Sequence, residues 1–168
     1  MVLKMTKRVK NKVKDTLDQF LFSQIESNPE YQEWVQDYKL PTYITDNISK
    51  TLRDYQEVAI KHFIWLFEQD PDKAKHLLFN LATGTGKTLT MAAAVLYLYQ
   101  KGYRNFVFLV HQNQIKDQAI KNFTDYKFEK YLFNPKGVKL NGRSIRINAI
   151  DRFQDAQKDA INFMFFST

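Results

Sequence analysis

The chain has 168 residues, 44% of them hydrophobic, so it can bury a core and is not a disordered segment. It has no cysteine, which excludes disulfides and thiolate metal sites, and no apolar stretch near the roughly 20 residues a membrane span needs. The formal net charge of +7 suggests an acidic partner, but Lys4, Lys7, Arg8, Lys10, Lys12 and Lys14 supply most of it, and the other 19 basic residues face 18 acidic ones. That N-terminal run reads either as a solvated tail or as a basic arm for nucleic-acid phosphates. It lacks the apolar segment of a signal peptide, and the cytoplasm is the simplest location.

Val13, Leu17, Phe20, Leu21 and Ile25 recur at the spacing of an amphipathic helix over residues 12–27. Pro29 ends it or opens the next turn, and 30–38 suit a second short helix. Residues 41–49 read as a connector. Thr51 and Asp54 have capping-box spacing, and Tyr55, Ala59, Phe63, Leu66 and Phe67 then form one apolar helical face. Asp70 before Pro71 disfavours its continuation.

Residues 76–82 make an apolar run of strand length, suited to burial in a parallel sheet. A helix-like run follows from Leu89 to Gln100, with Gly102 as its cap. Phe106 to Val110 reads as a second buried strand, and Gln112 to Phe123 as a helix with Ile115, Ala119, Ile120 and Phe123 on one face. Asn141-Gly142 between Val138, Leu140 and Ile145, Ile147, Ala149 is a type I′ hairpin signal, read as a hairpin decorating the sheet. Residues 151–159 are polar, and Ile161 to Phe166 forms a third buried strand near a terminal edge, an aggregation liability. The alternation of strands and helices predicts an α/β fold with a parallel sheet flanked by helices.

The chemistry lies between the first strand and its helix, at Ala82-Thr83-Gly84-Thr85-Gly86-Lys87-Thr88. Glycines let successive N–H groups curl toward a triphosphate, and the following helix adds its positive end. Thr83, Gly84, Thr85 and Gly86 form the cradle. Lys87 would reach the β- and γ-phosphates of ATP as the catalytic cation, and the Thr88 hydroxyl would hold Mg²⁺.

Leu81 stands where the general phosphate-loop pattern has glycine, and the form Ala-Thr-Gly-Thr-Gly-Lys-Thr resembles that of superfamily 2 helicases and translocases. Leu52-Arg53-Asp54-Tyr55-Gln56, about thirty residues earlier, resembles the adenine-reading motif of these motors, which assigns Arg53 and Gln56 to the nucleotide. A glutamine amide donates and accepts together, matching N6 and N7 of adenine. Val110 to Gln118 resembles the family's Val-Pro turn that meets the nucleic-acid backbone; Ile115 and Gln118 fit, and His111 replaces the proline. The turn His111, Gln112, Asn113, Gln114 is the candidate nucleic-acid contact.

Residues 52–134 resemble most the start of the motor in type III restriction endonuclease Res subunits and related DEAD/DEAH-type helicases. Gly102 to Phe108 and Phe165 to Thr168 also look familial, the latter leading into another DNA-contacting segment. The resemblance implies a RecA-like P-loop NTPase lobe that binds ATP and Mg²⁺ and translocates on double-stranded DNA. It also implies a separate nuclease domain that cuts and a methyltransferase partner that reads the sequence. Hydrolysis needs a second acidic motif, four apolar residues then Asp-Glu. The nearest substitute is Asp151 after Ile147-Asn148-Ala149-Ile150, with Arg152 in place of Glu. The expected organisation is a basic arm and helical leader over 1–50, then part of the first motor lobe with a β-hairpin insertion over 51–168. A stand-alone helicase, a nucleotide-binding module that does not hydrolyse, and a small-molecule kinase are the alternatives.

Overall fold

The computed structural model describes residues 17–168, with side-chain surroundings from residue 21 onward. The basic run at residues 4–14 and the start of the first expected helix lie outside the described residues. The chain divides into two compact units, one formed by residues up to Tyr38 with Asp72–Asn80, the other by Lys39–Pro71 with Leu81–Thr168. Residues 39–50, read from sequence as leader, therefore belong with the second unit.

In the first unit, helix α1 (Leu17–Glu26) is followed by α2 (Pro29–Asp37). Pro29 opens α2, where its missing N–H costs nothing, and the Asn28 side chain caps it by accepting from the N–H groups of Glu30 (2.8 Å) and Tyr31 (3.2 Å). Ile25 and Tyr31 are buried.

The expected strand over 76–82 does not form: the segment joins no sheet, and Leu78 is 73% exposed. An apolar run becomes a strand only where a neighbour takes its N–H and C=O groups, and no described strand lies beside this one.

The second unit begins with a four-residue helix, α3 (Thr42–Thr45), inside the expected connector. Helix α4 (Asp54–Gln69) has Arg53, not Thr51, as its N-cap. The Gln56 side chain reaches back to accept from the Arg53 N–H at 2.9 Å, the role the sequence assigned to Asp54. Its buried residues are Gln56, Ile60, His62, Phe63, Ile64, Trp65 and Phe67, and Tyr55 lies outside them. Helix α5 (Lys87–Gln100) is buried on most of its circumference, with Tyr97 packed edge-on against Phe63 and Phe67. The Tyr97 hydroxyl donates to Glu68 at 2.6 Å. Gly102, at φ +102°, ends α5 as expected.

Strand β1 (Asn105–Val110), helix α6 (Asn113–Thr124), strands β2 (Val138–Leu140) and β3 (Arg143–Ala149), a 3₁₀ turn and β4 (Ala160–Ser167) complete the chain. The sheet order is β1-β4-β3-β2. β1, β4 and β3 run parallel, and β2 is antiparallel to β3. Asn141 (φ 52°) and Gly142 (φ 76°) make the left-handed pair the I′ turn requires.

Two expectations change here. The hairpin is not an ornament, because β3 pairs along β4 and carries the parallel sheet onward. β4 is interior and Phe163 is buried, so among the described residues the unpaired edge on that side is that of β1, whose Val107 and Leu109 side chains are 52% and 72% exposed. Phe123 of α6 packs against Phe108, Phe163 and Phe165, at 4.9 Å from Phe163, and fixes the helix on one sheet face. Burying such a ring stabilises by about 1.5–3 kcal/mol.

The outer edge of β2 is closed by a side chain. The buried Asn47 amide accepts from the Lys139 N–H (2.7 Å) and donates to the Lys139 carbonyl (2.9 Å), standing in for a strand.

Candidate functional site

The loop at residues 82–88 runs into the N-terminus of α5. Gly84 (φ +81°) and Gly86 (φ +79°) take left-handed conformations that residues with a Cβ adopt only at a cost. The Thr85 hydroxyl turns back onto the Ala82 carbonyl at 2.6 Å and tightens the bend. Lys87 is exposed and Thr88 half-buried at the first turn of α5, where the leading N–H groups have no intrahelical acceptor. This donor set of backbone N–H groups, one ammonium and one hydroxyl suits a phosphate chain with a bound magnesium ion.

Helix α4 holds the loop from one side. Gln56, 2% exposed, donates from Nε2 to the carbonyls of Thr85 (2.9 Å) and Gly86 (3.2 Å) while its Oε1 accepts from Arg53. The Tyr55 hydroxyl also donates to the Thr85 carbonyl at 2.9 Å and accepts from Arg53 Nη1 at 3.2 Å. The residues read from sequence as adenine-binding are thus brought onto the glycine loop, with Gln56 engaged within the protein. Tyr55 was missed as a site residue, because helical spacing assigned it to the apolar face.

The turn His111 to Gln114 is exposed at the C-terminal end of β1. Because β4 lies parallel beside β1, its end arrives at the same place. The Thr168 N–H donates to the Val110 carbonyl at 3.2 Å, and the Ser167 hydroxyl donates to Asn113 Oδ1 at 2.5 Å. The candidate nucleic-acid turn and the segment expected to lead into another DNA contact are therefore neighbours. Asp151 is exposed just past β3, and among the described residues no three acidic or histidine side chains gather as a metal site.

The sequence model of the type III restriction enzyme, res subunit family matches residues 49–168. The chain belongs to that family. Its mostly parallel sheet flanked by helices is accordingly part of a RecA-like P-loop NTPase lobe. The chain is also similar to a protein of Haemophilus influenzae described as "Probable type III restriction-modification enzyme HindVIP Res subunit", at 35% identity over 171 aligned residues. That alignment covers 95% of this chain and 33% of the relative, so the chain spans about a third of the length of the curated protein it matches. No solved structure matches the chain significantly. No helix among the described residues is long and apolar enough to cross a membrane.

Proposed function

We propose that the chain is the ATP-binding part of a DNA-dependent translocase, the Res subunit of a type III restriction–modification system working with a methyltransferase partner on double-stranded DNA in the cytoplasm. The observation that carries this reading is the glycine loop at the start of α5, held by Tyr55 and Gln56 within a chain of the Res family. ATP supplies the phosphoanhydride whose hydrolysis drives the motor. Lys87 binds the β- and γ-phosphates, the Thr88 hydroxyl binds Mg²⁺, and the N–H groups of residues 83–86 orient the chain of phosphates. Gln56 keeps its Nε2 on the loop and offers the remaining Oε1 lone pair to the adenine amino group. Arg53 braces Tyr55. The His111–Gln114 turn, beside Ser167 and Thr168, meets the DNA backbone. DNA cleavage belongs to a separate nuclease domain.

Calorimetric titration with Mg·ATP tests the site. Lys87→Ala should weaken binding about 10- to 150-fold, the worth of a charge-assisted hydrogen bond. Unchanged affinity would remove the phosphate-loop assignment. Turnover should not be stimulated by DNA in these 168 residues, which carry no apolar strand ending in Asp-Glu.

A further inference from the structure

A second concave site lies in the same unit, away from the glycine loop. It is an open pocket of about 340 Å³ between the end of α6, the turn at Pro135–Gly137 and β3. It exists because β2 begins opposite Ile145, which leaves the β2-side edge of β3 unpaired from Arg146 onward, while its other edge pairs with β4. Its lining includes two cations, Lys136 and Arg146, and no carboxylate. Two tyrosines also line it. Tyr126 is 61% exposed, with the Lys127 ammonium 5.7 Å from its ring centroid. Tyr131 is 9% exposed, and its hydroxyl has no hydrogen-bond partner among the described residues. Burial pushes that phenol up to about 12, so it stays a neutral donor at physiological pH.

The Tyr131 ring is buried while its hydroxyl opens on the pocket, a donor left for a ligand or solvent there. Cations, no acid and aromatic faces together are the chemistry of an unstacked nucleotide: phosphate on the cations, base on the ring. We propose that this pocket binds one nucleotide of a single-stranded nucleic-acid segment, with the base on Tyr126, the phosphate on Lys136 and Arg146, and the Tyr131 hydroxyl donating to the ligand. The site rests on the nucleic-acid reading above and adds a contact that the glycine loop and the His111–Gln114 turn do not provide.

Photocrosslinking of the full chain to an oligothymidylate carrying 5-iodouracil, with mass-spectrometric mapping, separates the two. Crosslinks at Tyr126 or Tyr131, weaker with a blunt duplex of the same sequence, support the pocket. Crosslinks confined to the His111–Gln114 turn, with either the single strand or the duplex, overturn the pocket and leave the DNA reading standing; none with either nucleic acid overturns both. In fluorescence anisotropy Tyr126→Ala should weaken single-strand binding about 5- to 150-fold. Arg146→Gln should lower the salt slope by about 0.7, and Tyr131→Phe should weaken binding severalfold without changing that slope. Unchanged affinity in all three folded variants, or equal occupancy by polyglutamate with no crosslink, overturns the proposal.

Discussion

Gly86 is held to glycine by two constraints. Its φ of +79° strains any residue with a Cβ, and that Cβ would lie 2.6 Å from Gln56 Nε2. Gly84 shares the first constraint, at φ +81°, but has open space around it. Gly84→Ala should therefore cost only the backbone strain, about 1–2 kcal/mol. Gly86→Ala must also push Gln56 off the Thr85 and Gly86 carbonyls, adding about 1–3 kcal/mol. At about 2–4 °C per kcal/mol for a chain of this size, Gly86→Ala should melt several degrees below Gly84→Ala. Equal melting temperatures would contradict the Gln56 contact. The glycines themselves were legible in the sequence, because few residues take that backbone conformation. The clamp was not: Gln56 and Thr85 are 29 residues apart, and a side chain engaged by a distant loop leaves no periodic trace. Tyr55 was misplaced for the same reason, since period 3.6 separates faces of a helix and does not say which residue at the helix start meets a loop.

At the scale of elements, the helices and the hairpin follow local rules that a sequence states openly: apolar spacing, Pro29 at a helix start, Asn141-Gly142 at a turn. Sheet order follows contacts between distant segments and was not legible. β4 was expected near an edge, yet it lies between β1 and β3. One polar side chain pins it there. Asn162 is fully buried, with its Nδ2 donating to the carbonyl of Gln157 (2.9 Å) and to Asn105 Oδ1 (3.1 Å). Its Oδ1 accepts from the Gln157 N–H at 3.1 Å, and its own N–H bonds the Arg104 carbonyl at 2.8 Å. The side chain thus ties the loop before β4 to the start of β1. A sequence reading sees only a polar interruption in an apolar strand. Asn162→Leu fills similar volume but orphans both polar groups of Gln157. The expected loss is about 2–5 kcal/mol in urea unfolding, with the slope unchanged. A loss below about 0.5 kcal/mol, the level of a neutral surface change, would show that the network contributes nothing to stability.

At the scale of the whole molecule, Tyr31 in one compact unit and Tyr131 in the other are buried phenols whose ionisation bears on alkaline stability. Burial, reinforced by the nearby Glu26 charge, pushes Tyr31 up to about 12, and burial alone does the same to Tyr131. In the unfolded chain both ionise near 10. Above that pH the unfolded state releases protons that the folded state keeps, so stability falls as pH rises. The contribution is therefore complete below pH 10 and lost progressively as pH climbs through about 12. Lysine deprotonation acts in the same range, so wild type alone cannot isolate the phenols. Tyr31→Phe and Tyr131→Phe remove the ionisable group and retain the ring. Each variant should show a smaller drop in melting temperature than wild type between pH 8 and pH 11, followed by circular dichroism, and the double variant should show the smallest. Tyr131→Phe should also remove a late component from the phenolate absorbance titration. If both variants lose stability with pH as steeply as wild type, the alkaline limit lies with other groups, and the Tyr131 hydroxyl is better solvated than its surroundings imply.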